Sequence, residues 1–264
     1  MPDPVDVIIV GAGAAGLMCA IAAGRRGRRV RVLDHANKAG KKILMSGGGR
    51  CNFTNYHIEA EHFLSQNPHF CKSALSRFSQ WDFISLVEKH AVPYHERDSG
   101  QLFCDDSAKD ILNMLLAEAR EAGVELQLNT SIVDVRTANR SDQSKRFKVH
   151  TSNGDQHSHA LVVASGGLSI PRMSASPFGY QLADRFGIKV QPTRAGLVPF
   201  TLHEQDKSSL QALSGIAQDC RAGTNEQSFR GNMLFTHRGL SGPAILQLSS
   251  YWHGGDPVHI DLLP

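Results

Sequence analysis

The stretch V-I-I-V-G-A-G-A-A-G-L-M-C-A-I-A-A-G-R-R-G-R-R-V-R-V-L-D, residues 7–34, decides the fold. Val7–Val10 is apolar, β-branched and too short for a helix, so it reads as a buried strand. Gly11-Ala-Gly13-Ala-Ala-Gly16 follows at once, and Leu17, Ala20, Ile21 and Ala23 then recur with helical period. Val30, Val32 and Leu33 form a second buried strand that ends on Asp34. The three glycines serve different ends. Gly11 makes the tight turn, Gly13 lets a pyrophosphate approach the backbone, and Gly16 lets helix pack on strand. The helix aims its first N–H groups and positive dipole end at the phosphates, beside Ala14 and Ala15. Asp34 is placed to accept hydrogen bonds from an adenosine ribose. Strand, glycines, helix, second strand and terminal acid in this order predict a bound dinucleotide. A carboxylate at Asp34 repels a 2′-phosphate, so FAD or NAD fits better than NADP.

Working outward, 264 residues are enough for one large domain or two smaller ones. The 41% apolar and 20% charged content suits a globular protein. Val7–Gly24 carries no charge, but its glycines and strand–turn–helix pattern argue against a membrane span. No basic n-region precedes it, so it is not a signal peptide, and a cytoplasmic location is expected. Five cysteines, none in a C-x-x-C pair, suit free thiols. The histidines show no zinc spacing, so no metal is expected. Residues 1–50 hold nine Lys/Arg against three Asp, an excess of +6 that leaves −3 for the remainder. Arg25, Arg26, Arg28, Arg29 and Arg31 read either as a solvated helix end or as a patch facing a polyanion.

After Asp34, residues 35–55 contain Gly47-Gly48-Gly49 ahead of Arg50-Cys51-Asn52. Three successive glycines let backbone come close to something flat or anionic, so this is expected to be a cofactor and active-site loop. Leu75, Phe78, Phe83, Leu86 and Val87 suggest one amphipathic helix ending near His90. Ser107-Ala-Lys-Asp110 resembles a capping box, opening a helix that Gly123 ends. Val124–Leu128 follows as a parallel strand. Ile132–Val135, Arg146–Thr151 and Gln156–Ala160 read as a meander, with a hairpin signal at Asn153-Gly154. Leu161–Ala164 reads as a return to a buried strand, ending in Ser165-Gly166-Gly167. Beyond Pro192, short strand-like pieces at 197–203, Asp219–Ala222, Met233–Thr236 and Val258–Leu262 suggest a β-rich insert. There Thr236–Pro243 is expected to open a helix and form an anion- or carbonyl-binding corner.

The stretches G-A-G-A-A-G-L-M-C-A and K-K-I-L-M-S-G-G-G-R-C-N-F-T-N resemble a bacterial family of FAD-dependent oxidoreductases. The family includes bile-acid enone reductases and a ribosomal RNA dihydrouridine synthase. The similarity continues through S-Q-N-P-H-F-C-K-S-A-L (65–75), Q-L-F-C-D-D-S-A (101–108), A-S-G-G-L-S (164–169) and L-F-T-H-R-G-L-S-G-P-A-I-L (234–246). Together with S-A-S-P-F-G-Y (174–180), these phrases look closest to the ribosomal RNA branch. Many members carry A-T-G-G at 164–167 and Glu at 34; both differences keep the hydrogen-bonding group.

The resemblance implies an α/β fold: a Rossmann-like FAD-binding domain of the glutathione-reductase type with a β-meander (1–191), plus a β-rich insert domain (192–264). The family's FAD domain closes with a late glycine-rich strand and helix that this chain lacks, so the chain looks like a fragment without its last third. The implied cofactor contacts are Gly11, Gly13, Ala14, Ala15, Gly16, Asp34, Lys42, Gly47, Gly48, Gly49, Arg50, Val133, Ser165 and Gly166. FAD is the expected cofactor and NAD(P)H the expected electron donor. The implied chemistry is reduction of a C=C bond conjugated to a carbonyl, in a uridine of ribosomal RNA or a small-molecule enone. A flavin-binding protein without turnover is the reading from a different class. Cys51 is the candidate proton donor, and His237 or Arg238 the candidate carbonyl-polarising group.

Overall fold

The computed structural model describes residues 3–137, 146–170, 175–224 and 227–264. Ser174 of the S-A-S-P-F-G-Y phrase lies outside them. The apolar run at the start forms β1 (Val5–Val10), the glycines lead into α1 (Ala14–Gly24), and β2 (Val30–Leu33) follows. Then come α2 (Lys41–Met45), a 3-10 turn (Ser46–Gly49), β3 (Asn52–Asn55), α3 (Lys72–Arg77), α4 (Gln80–Lys89), β4 (Tyr94–Glu96) and β5 (Gln101–Cys104). The first unit is completed by α5 (Ala108–Glu121), β6 (Glu125–Gln127), β7 (Ile132–Thr137), β8 (Phe147–Thr151), β9 (Gly154–Val163) and α6 (Phe178–Arg185).

The main sheet has the order β6-β2-β1-β9-β8-β7. β1 pairs in parallel with both β2 and β9, and β2 with β6, while β7, β8 and β9 form an antiparallel meander. This is the expected Rossmann-like α/β architecture with a β-meander. Its parallel strands are buried on both faces, which is why Val7–Val10 reads as an unbroken apolar run and Val30, Val32 and Leu33 are all apolar. Ile8, Ile9, Val32 and Leu33 are fully buried, and Leu17, Ile111 and Leu115 from α1 and α5 close one face.

Two sequence expectations are corrected. The third meander strand and the returning strand are one element: β9 pairs antiparallel with β8 through Gly154–Ser158 and parallel with β1 through Ser158–Val163. A 10-residue strand is long enough to leave one partner and join another without a turn. The single helix expected up to His90 is two helices, α3 and α4. Phe78 is extended, and the Ser79 amide donates to Asp82 Oδ2 at 2.7 Å, so an S-x-x-D capping box restarts the helix. The box at Ser107–Asp110 opens α5 as expected.

Residues Gln191–Pro264 form a second compact unit. It contains β10 (Phe200–Thr201), α7 (Glu204–Leu210), β11 (Ala217–Gly223), β12 (Ser228–Thr236), β13 (Gly239–Ser241), α8 (Pro243–Ser249) and β14 (His259–Asp261). Its five-stranded sheet runs β10-β13-β12-β11-β14. Met233, Ala244, Ile245 and Leu248 form the core between sheet and α8.

Candidate functional site

Three backbone loops meet at the carboxyl ends of β1, β2 and β9. The first is the glycine loop. Gly11 adopts φ +109°, and a Cβ there would lie 2.4 Å from the Ala164 carbonyl oxygen. A Cβ on Gly16 would lie 1.8 Å from the Gly11 oxygen. Both glycines are therefore demanded by the fold itself. Gly13 differs, because nothing lies within 4 Å of where its Cβ would point. Ala14 and Ala15, the first residues of α1, are exposed beside that opening. Backbone N–H groups and open space coincide here, which is what a dinucleotide pyrophosphate requires.

Asp34 faces this loop. Its Oδ2 accepts the Ala12 amide at 2.7 Å and its Oδ1 the Ala36 amide at 2.8 Å. The side chain is 15% exposed, and a carboxylate has about four acceptor sites, so capacity for a ribose remains. Nearby, the Thr130 amide donates to the Asp34 carbonyl at 2.9 Å. Val133, three residues further on, is the extra residue of a bulge between Ile132 and Asp134, and its side chain is exposed.

The second loop is tied to the first through the Gly40 amide, which donates to the Ala12 carbonyl at 2.9 Å. α2 then leads into Gly47 and Gly48, both left-handed at φ +57° and +66°. A Cβ on Gly47 would lie 2.5 Å from the Asn52 amide nitrogen and 2.8 Å from the Phe103 ring, whereas Gly48 and Gly49 face open space. Arg50 is exposed and has no ion-pair partner among the described residues. Cys51 is also left-handed, at φ +49°, and its side chain lies in the apolar core with Cys104. Burial pushes the Cys51 thiol up, partly offset by a hydrogen bond from Ser46. The Cys104 thiol is pushed up to about 11, by burial first and then by the neighbouring Cys51.

The third loop follows β9. The Ala164 amide donates to the Val10 carbonyl at 2.8 Å, which sets Ser165 and Gly166 alongside the glycine loop. The Ser165 hydroxyl oxygen is buried without a hydrogen-bond partner among the described residues. Lys42 reaches across from α2, where its Nζ donates to the Ser169 carbonyl at 3.1 Å and lies 3.6 Å from the Cβ position of Gly166. Ser169 and Phe103 are structural parts of this crevice that sequence spacing does not single out. Their contacts, with Lys42 and Gly47, join segments far apart in the chain.

His237 and Arg238 belong to the second unit. They occupy the exposed tip of the β12–β13 hairpin, where Thr236 Oγ1 accepts the Arg238 and Gly239 amides at 3.3 and 3.1 Å. The expected helix opens with Pro243 in its first turn, and Gly239–Ser241 ahead of it form β13.

The arginine cluster is largely engaged. Arg31 is buried, with Nε 2.7 Å from Glu125 Oε2 and a terminal nitrogen donating to Gln156 Oε1 at 3.2 Å. Arg25 pairs with the fully buried Glu118, and Arg29 pairs with Asp6 at 3.7 Å. Arg31 is thus removed from the residues expected to face a polyanion. A strand buried on both faces leaves its side chain no route to solvent.

Residues 5–218 match the model of the HI0933-like protein Rossmann domain, and 194–264 match the HI0933-like protein barrel and H2TH domain. The chain belongs to the HI0933-like family. It is 53% identical over 260 residues to the ribosomal RNA dihydrouridine synthase of Escherichia coli (strain K12), covering 98% of this chain and 64% of that protein. It is 25% identical to the 3-dehydro-bile acid delta(4,6)-reductase of Clostridium scindens, covering 97% of this chain and 64% of that protein. The chain therefore spans just under two thirds of the length of these relatives. Among solved structures, the open conformation of a flavocytochrome c3 fumarate reductase aligns over 81% of this chain and 47% of its own, with 18% identity and a TM-score of 0.49.

Proposed function

We propose that the protein is an FAD-dependent oxidoreductase that reduces a C=C bond conjugated to a carbonyl. Its substrate on this reading is a uridine of 23S ribosomal RNA, its product 5,6-dihydrouridine, its electron donor NAD(P)H and its location the cytoplasm. The observation that carries the reading is the open face of Gly13 beside the carboxylate of Asp34, between two further glycine-bearing loops. The relative at 53% identity, named as a ribosomal RNA dihydrouridine synthase, directs the choice of substrate.

Bound in this crevice, FAD supplies hydride-transfer chemistry. The chain's own groups bind and orient. The N–H groups at the start of α1 receive the pyrophosphate past Gly13, Ala14 and Ala15, and Asp34 accepts from the ribose. Lys42, Gly47, Gly48, Gly49, Arg50, Ser165 and Gly166 line the other two walls, and the orphaned Ser165 hydroxyl gains a partner there. Val133 offers backbone outside the sheet ladder. Cys51 holds a proton on Sγ at neutral pH, because burial disfavours the thiolate. That is the state a donor to the substrate α-carbon needs. His237 and Arg238 present hydrogen-bond donors suited to polarising a carbonyl.

The test is mass-spectrometric mapping of dihydrouridine in ribosomal RNA from cells with and without the protein. The expected result is loss of a dihydrouridine, restored by the wild-type gene but not by a Gly13→Leu variant. Unchanged RNA overturns the substrate. A second reading, reduction of a small-molecule enone, is favoured by the relative named as a bile-acid reductase. Substrate-dependent flavin oxidation by an enone in the absence of RNA would support it instead.

A further inference from the structure

We infer that Lys38 and Lys41 grip the phosphodiester backbone of single-stranded RNA next to the dinucleotide crevice. The inference deepens the proposed function and rests on its RNA reading. Residues 35–58 contain four Lys/Arg (Lys38, Lys41, Lys42, Arg50) and no Asp or Glu. Every arginine of the 25–31 run except Arg26 and Arg28 is neutralised by a carboxylate of another element. Lys38, Lys41 and Arg50, in contrast, have no ion pair among the described residues. The densest charge by sequence is thus largely paired within the fold, and unpaired positive charge lies on the segment that walls the crevice.

The geometry holds that segment against the cofactor loop. Gly40 donates its amide to the Ala12 carbonyl at 2.9 Å, and a Cβ on Gly40 would lie 2.5 Å from a Leu112 methyl. Lys38 and Lys41 therefore flank a residue clamped between the glycine loop and α5. Lys42 is turned away to Ser169, which separates its role from theirs. Met45, 56% exposed at the end of α2, adds an apolar surface beside the cations. A dinucleotide pyrophosphate carries about two negative charges, and the α1 N-terminus with Lys42 already addresses it. A polynucleotide brings one further charge per nucleotide, and a base drawn out of its stack needs its flanking phosphates held. Charge complementarity favours a polyanion because Lys38 and Lys41 are unpaired among the described residues and lie on the segment tied to the glycine loop.

The test is binding of a fluorescein-labelled single-stranded RNA oligonucleotide to the flavin-loaded protein over a series of salt concentrations. Lys38→Gln/Lys41→Gln should flatten the log–log salt dependence by about 1.4, from a slope of about 0.7 per phosphate contact. Arg26→Gln/Arg28→Gln should leave it unchanged, and both variants should keep the wild-type ratio of flavin to protein absorbance. An unchanged slope in Lys38→Gln/Lys41→Gln, with RNA still bound, overturns this surface and leaves the uridine reading standing. Loss of flavin from that variant also overturns it, because the cations would then serve the dinucleotide. Failure of the wild-type protein to bind RNA at any salt overturns the surface and the RNA substrate together.

Discussion

The Asp34 carboxylate accepts the amide of Ala12, inside the glycine loop, at 2.7 Å. The residue proposed to hold the ribose is thus also a fastening of the loop proposed to hold the pyrophosphate. Asp34→Asn can accept through only one oxygen, so one of the Ala12 and Ala36 amides loses its partner. A lost buried partner costs about 1–3 kcal/mol. Urea unfolding of the Asp34→Asn protein should show that loss, together with reduced flavin content. Wild-type stability would show that Asp34 does not fasten the loop.

The glycines should separate into fold and ligand requirements. Gly16→Ala drives a Cβ into the Gly11 carbonyl and should destabilise the protein whether or not flavin is present. Gly13→Leu meets open space and a φ of −87°, which any residue adopts, so it should purify without flavin but unfold at the urea midpoint of the flavin-free wild type. Full flavin occupancy in Gly13→Leu would place the dinucleotide elsewhere.

Cys51 stands where proton donation and packing make opposite forecasts. If it supplies the proton, Cys51→Ala should leave reduction of the flavin by NAD(P)H intact. Reoxidation by substrate should then slow by a factor of about 10² to 10⁴. Single-turnover reoxidation at the wild-type rate would assign Cys51 to the core alone.

Cys104 supplies a pH dependence. Its folded thiol is pushed up to about 11 from an ordinary value of 9.0, because burial disfavours the thiolate. Its contribution to stability is therefore complete below about pH 9 and lost as pH rises towards 11. Thermal unfolding from pH 8 to 11 should show a decline that Cys104→Ala reduces. Native protein at pH 8 should also resist alkylation at Cys104. Rapid native-state labelling there would contradict its burial.

Much of the first unit is legible from local chemistry. The β1–Gly loop–α1–β2–Asp34 order, the Ser107 capping box and the Asn153-Gly154 hairpin each depend on a few adjacent residues, and each forms as read. The α3–α4 break is hidden for an opposite reason. Apolar periodicity runs on through Phe78, and the capping geometry of Ser79 and Asp82 outweighs it. The united strand β9 is hidden too, because a switch from an antiparallel to a parallel partner leaves no trace in hydrophobic period.

The sequence by itself determined the elements whose causes are local: strands buried on both faces, glycines where backbone meets backbone, caps within one turn. Only the tertiary structure decided which charges are free. Arg25, Arg29 and Arg31 look equivalent to Arg26 and Arg28 in the chain, but Glu118, Asp6 and Glu125 reach them from distant elements. It likewise placed Lys42 on Ser169 and Cys51 in the core. Ion pairs and burial depend on which segments meet in space, and residue spacing along a chain does not specify those distances.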